Sequence, residues 1–180
     1  MFEPTRLYAP YAGIGARETP EDVLSLMTAI AKLLDDRGYV LRSGGAEGAD
    51  KAFDSGTSGM SRPEIYLPWN GFEGQHLSPE FTPTTAQLGN ALKMAEQYHP
   101  NWSACSAGAR KMMARNCFQI LGLDLNSPAK FVICWTKDGK ASGGTGQALR
   151  IAEDKKISIF NLHDLEMRAI FYQMLDWPAE

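Results

Sequence analysis

A doubly wound α/β domain, with a mainly parallel sheet between two layers of helices, is the fold the sequence predicts. Three observations carry that expectation. Short apolar strands alternate with amphipathic helices along the chain, which implies parallel pairing through helical crossovers. The strand "KFVICWT" holds five consecutive apolar residues, Phe131 to Trp135, as expected when both of its faces are covered. Glycine-rich turns fall where the strands end.

The elements follow in order. "LYAPYAGIG" reads as a buried strand over about residues 7–14. In "ETPEDVLSLMTAIAKLLDDRG", Thr19 caps, Pro20 takes the first helical position, Glu21 and Asp22 face the positive end of the dipole, and Gly38 ends the helix. Val23, Leu26, Met27, Ile30 and Leu34 recur at helical spacing and give it one buried face. A strand to Arg42, a glycine turn and a helix over about residues 46–55 repeat the arrangement. "EIYLPW" is the third strand, stopped by Pro68. "TTAQLGNALKMAEQY" and "SACSAGARKMMARNCFQILG" are helices joined by "HPNW", and "SGGTGQALRIAEDKK" is a turn and helix after the fourth strand. "ISIFNL" is the last strand and "DLEMRAIFYQMLDW" the closing helix. The whole is Rossmann-like. With 180 residues and 44% hydrophobic content, one domain spanning 1–180 is expected, with a loop excursion at about residues 68–83.

Charge and composition narrow the function. The net charge of −3 provides no overall field for nonspecific nucleic-acid binding. Cys105, Cys117 and Cys134 show no metal spacing and read as buried thiols in a reducing compartment, with no metal and no cofactor expected. No leader or membrane-spanning run is evident, so a cytoplasmic protein is expected. His76, His99 and His163 fall in no triad or metal motif.

Three turns carry the chemistry. "AGIGAR" places Gly13 and Gly15 after the first strand with Ala16 and Arg17 behind them. "RSGGAEGAD" places Ser43, Gly44 and Gly45 after the second, and "SGGTG" places Gly143, Gly144, Thr145 and Gly146 ahead of a helix. Missing side chains let a phosphate reach backbone N–H groups, and a helix N-terminus adds about half a positive charge. Parallel strands bring their ends to one edge, where ligands of such sheets bind. Neither G-x-G-x-x-G nor a Walker A lysine is present, which disfavours an ordinary dinucleotide or ATPase site. In "ARKMMARN", Lys111 and Arg115 lie one turn apart on one helix face, which by itself reads as a solvated basic face. Trp69 and Phe72 offer rings for a base. Glu47 and Asp50, just inside the second glycine turn, are the carboxylates best placed for a site, ahead of Glu73 in "WNGFEG", and Asp50 suits a ribose hydroxyl.

"GIGAR" (13–17), "SGGAEGAD" (43–50), "ARN" (114–116) and "GGTGQA" (143–148), in this order, resemble the SLOG superfamily of nucleotide-binding domains. Within it the chain looks most like the Rossmann domain of the DNA-processing protein A (DprA/Smf) family. That family's glycine-serine-arginine turn falls on Gly15, Ala16 and Arg17, with alanine for serine. Its serine-glycine turn falls on Ser43 and Gly44, and its arginine-asparagine motif on Arg115 and Asn116. The resemblance implies ligand contacts at these positions.

The Lonely Guy phosphoribohydrolases, a more distant branch, cleave nucleoside monophosphates with a motif of the form PGGxGTxxE. Here Ser142 replaces the proline, Gln147 the threonine and Arg150 the glutamate. A carboxylate stabilises an oxocarbenium-like state and an arginine opposes it, so binding is expected ahead of cleavage. The leading expectation is therefore capture, sensing or buffering of a nucleotide-derived small molecule. A nucleoside monophosphate glycohydrolase and a single-stranded DNA-binding protein are the alternatives. A homo-oligomer is expected from the relatives and from Ile170, Phe171, Leu175 and Trp177 of the closing helix.

Overall fold

The computed structural model describes residues 8–58 and 61–176. Five strands form one parallel sheet: β1 (Pro10–Gly15), β2 (Val40–Ser43), β3 (Glu64–Ile65), β4 (Phe131–Trp135) and β5 (Ser158–Asn161), in the order β3-β2-β1-β4-β5. Among the described residues six α-helices cover it: α1 (Glu21–Asp36), α2 (Ala49–Gly56), α3 (Thr85–Tyr98), α4 (Ala107–Leu121), α5 (Gly143–Asp154) and α6 (Leu165–Met174). This is the Rossmann-like α/β arrangement expected from the alternation of strands and helices.

Side-chain alternation along the central strands builds two separate cores. Ala12, Ile14, Val132 and Cys134 face α3, α4 and α5, whereas Tyr11, Ile133 and Trp135 face α1, α2 and α6. Residues two apart share a face, so an unbroken apolar run such as that of β4 serves both layers at once. The C-terminal half of α4 is buried continuously from Ala114 to Leu121 because α3, α5 and the sheet enclose it.

Several boundaries depart from expectation for local reasons. Pro20 has an extended ψ of 150° and sits outside α1, and the Thr19 hydroxyl donates to the Ala16 carbonyl at 2.7 Å instead of capping the helix. Positive φ at Gly45 and Gly48 keeps the chain turning, so α2 starts at Ala49. A separate 3₁₀ turn covers Trp102–Ala104, and Ser106 then caps α4 by accepting from the Ala109 N–H. Of the apolar residues expected on the closing helix, Phe171 is buried in the core and Ile170 is half exposed; Trp177 lies outside the described residues. No described helix is long and apolar enough to cross a membrane.

The edge strand β3 and its neighbour β2 are tied to the α4–β4 connection by a buried polar cluster. Arg42 on β2 donates to Glu64 on β3 at 2.7 Å, to the Ser127 carbonyl at 2.6 Å and to the Tyr8 hydroxyl at 2.8 Å. Tyr66 also donates to Glu64, at 2.6 Å. With Arg42 only 2% exposed, removing one partner strands a charge in the interior. Glu64→Leu is expected to lower the unfolding free energy by about 3–5 kcal/mol, measured by chemical denaturation.

Candidate functional site

Strand order sets the location. After β1 the chain winds to one side through β2 and β3, and after β4 to the other through β5, so the crevice between the carboxyl ends of β1 and β4 is left open. A pocket of about 500 Å³ occupies it, within the size range of small-ligand sites. Ile14 and Gly15 end β1 and Ala16 to Glu18 follow it, Thr136 and Lys137 follow β4, Asp50 comes from α2, Met112, Met113, Arg115, Asn116 and Gln119 from α4, and Ser142 to Thr145 from the start of α5.

Its floor is an ion pair. Arg115 Nη1 lies 3.3 Å from Asp50 Oδ2, and both side chains are almost fully buried. Burial pushes the Asp50 carboxyl above the usual carboxylate range, against the opposing pull of Arg115 and the Ala46 N–H. Burial likewise draws the Arg115 guanidinium down from its ordinary value, and the nearby charge of Arg17 acts the same way. Arginine nevertheless keeps its charge at neutral pH. Among the described residues Arg115 Nε finds no acceptor, so the buried guanidinium holds unspent donor capacity. Phe72 lies beneath it, its ring centre 5.9 Å from the guanidinium carbon.

The rim carries two more cations. Arg17 pairs with Glu73 at 2.7 Å, and Lys137 lies 3.7 Å from Glu18. Opposite them, α5 begins without any side-chain cap, because Ser142 turns its hydroxyl to Asp138 at 2.6 Å. The first N–H groups of a helix have no acceptor within it, so those of Gly143, Gly144 and Thr145 remain as donors at the pocket wall. Asn116 braces this turn by donating to the Gly144 carbonyl at 3.1 Å.

Of the residues singled out in the sequence, the pocket gathers Gly15, Ala16, Arg17, Asp50, Arg115, Asn116, Gly143, Gly144 and Thr145. The others lie behind or beside it. Gly13 packs against Phe53 and Leu41, and its carbonyl accepts from the Ser43 hydroxyl at 2.7 Å. Gly44 admits the guanidinium: a Cβ there would overlap Arg115. The Gly45 carbonyl accepts from Gln75, and Gly146 packs on the Ala141 backbone. Trp69 stands edge-on to Phe72 and does not line the pocket. Glu47 pairs with Lys51 at the surface. Arg150, at the hydrolase-glutamate position, donates to the carbonyls of Tyr98 at 2.7 Å and Ala141 at 2.8 Å, outside the pocket.

Sequence reasoning passed over the apolar wall of Met112 and Met113, together with Thr136, Lys137, Gln119 and Glu18. The two methionines sit one turn before Arg115 and Asn116, a spacing that signals a shared helix face. Lys137 and Thr136 follow directly from the rule that ligands meet strand carboxyl ends. Among the described residues no group of three His, Cys, Asp or Glu is placed to hold a metal ion.

The chain thus has a Rossmann-like α/β fold with a pocket lined by Arg17, Arg115 and Lys137 at its topological switch point. No family model and no curated protein matches the chain. Among solved structures, its fold is similar to that of DNA processing protein A from Helicobacter pylori, a protein described for a unique single-stranded DNA binding mode. The TM-score is 0.55 at 14% identity, with 93% of this chain and 80% of that one covered, and at that identity the likeness is one of fold.

A steric test separates the two kinds of glycine. Gly44→Ala is expected to displace Arg115 and cost about 1–3 kcal/mol in thermal or chemical denaturation, the range of overpacking. Retained stability would mean that the guanidinium has another seat.

Proposed function

We propose that this pocket binds the phosphate of a nucleotide, and that the nucleotide belongs to a single strand of nucleic acid. The observation that carries the reading is convergence: Arg115, Arg17, Lys137 and the uncapped start of α5 all meet one pocket at the switch point. Phosphate suits this set, since a guanidinium fork and backbone N–H groups both match its oxygens. A pocket of about 500 Å³ has room for a single nucleotide unit rather than a duplex. Met112, Met113, Ile14 and Ala148 supply an apolar, adaptable wall for a base or sugar. Support for a strand as the source comes from the fold shared with DNA processing protein A, which binds single-stranded DNA.

The second reading is capture of a free nucleotide or nucleotide-derived signal. The net charge of −3 favours it, because a polyanion gains nothing from the rest of the surface. Glycosidic cleavage has less support. Glu18 and Asp50 are the acidic residues lining the pocket, and Asp50 is engaged with Arg115.

Fluorescence polarisation of a labelled oligothymidylate, titrated with protein and competed with free mononucleotides, separates the readings. Binding that mononucleotides displace only at great excess supports the strand; displacement at equal concentration supports the free ligand. Arg17→Ala is expected to weaken oligonucleotide binding and to reduce the salt slope by about one, as loss of one phosphate contact does. Unchanged affinity and slope would remove Arg17 from the site.

Gly144 provides a cleaner separation. A Cβ there meets nothing within 4 Å, so Gly144→Ala is expected to preserve stability. The added methyl stands between an incoming phosphate and the N–H groups of α5, and affinity should fall roughly tenfold, the worth of one charge-assisted hydrogen bond. Full affinity in a folded Gly144→Ala protein would exclude the α5 turn from phosphate contact.

A further inference from the structure

Every cation of the pocket already holds a carboxylate. Arg115 has Asp50 at 3.3 Å, Arg17 has Glu73 at 2.7 Å and Lys137 has Glu18 at 3.7 Å. The three pairs differ in kind. Asp50 lies on the floor beneath the site, whereas Lys137 and Glu18 are about three-quarters exposed and lie at a distance where water screens them strongly. Glu73 is the closest partner of the three and is only 23% exposed, although the Arg17 it holds is 56% exposed.

The loop that presents Glu73 is built to hold it there. Phe72 is buried beneath Arg115 on one side, and Gln75 donates to the Gly45 carbonyl at 2.6 Å on the other. Between these anchors Glu73 sits in the left-handed region at φ 49°, ψ 35°, with Gly71 and Gly74 also at positive φ. A glutamate bears a steric cost in that region that glycine does not. Where a non-glycine residue is retained in such a conformation, its side chain is the reason to look for a role.

We infer that Glu73 is a charge filter: it occupies Arg17 in the free protein, so the site admits singly charged phosphodiesters in preference to multiply charged phosphates. The inference rests on the nucleotide-phosphate reading above and sharpens its ligand class. A ligand phosphate reaches Arg17 only by sharing it with, or taking it from, a carboxylate of its own sign. The repulsion grows in proportion to ligand charge. A phosphodiester carries one negative charge, a terminal monophosphate close to two and a triphosphate about four. Glu73 therefore penalises the triphosphate most and the diester least, which suits a site for an internal nucleotide of a strand.

Calorimetry of the full chain without divalent cations, using unlabelled dTpT, dTMP and dTTP, tests the filter. Glu73→Gln is expected to bind dTpT roughly fourfold more tightly and dTTP more than about tenfold more tightly, with dTMP between them. Glu73→Gly removes the same carboxylate and suits the left-handed backbone, so it should reproduce the gains in a protein at least as stable. Equal gains for all three ligands, or no gain at all, would overturn the filter while leaving the nucleotide site in place. No binding of any ligand by the wild type and both Glu73 variants would remove the nucleotide reading and the filter together.

Discussion

The Arg115 and Asp50 side chains form the one contact through which the pocket is assembled. They join the first turn of α2 to the buried half of α4, and the guanidinium also rests over Phe72 and against Gly44. Three segments distant in sequence are thereby fixed around a single charged group. An ion pair in the interior gives little net stability, because desolvating both partners offsets most of their attraction. Its contribution here is positional. It presents a cation at the floor of a cleft that the sheet topology leaves open, with its Nε–H lacking an acceptor among the described residues.

The open cleft itself has a simple physical origin. Parallel strands require crossovers, and crossovers running in opposite directions from β1 and β4 leave no helix over the ends of those two strands. Uncapped amides of α5 then face the same space as Arg115. Asn116 adds rigidity by bonding the Gly144 carbonyl, so the residue after the floor cation braces the wall of amides. Adjacent residues on α4 thus serve two sides of one pocket.

Much of the fold was legible because periodicity reports it directly. The continuous apolar run of β4, the helical spacing in α1 and the glycine turns at strand ends each reflect a local rule, and all five strands and six helices followed. Boundaries were less legible where backbone dihedrals decide them: Gly45 and Gly48 delay α2, and Pro20 stands outside α1. Within the site, Arg115 and the α5 turn stood out as residue types, whereas their partners did not. Asp50 and Arg115 are 65 positions apart, and no local pattern encodes their contact. Gly44 and Gly144 look alike in sequence. Only the packing reveals that the first makes space for a protein side chain and the second faces open space.

Charge is where local and global readings diverge. A net charge of −3 argues against a nucleic-acid surface, yet the pocket collects Arg17, Arg115 and Lys137. The two are compatible if the ligand engages the protein at few phosphates. Binding of one nucleotide unit in a cleft of about 500 Å³ would release few counterions, so affinity on that proposal would come from hydrogen bonds and apolar contact within the pocket more than from a broad field. Such a site needs no basic surface around it. It would need its cations held in position while empty, and the carboxylates of Asp50, Glu73 and Glu18 do that. The acidic balance of the chain and the paired cations of the pocket are then two aspects of one design, in which attraction is short-ranged and confined to the cleft.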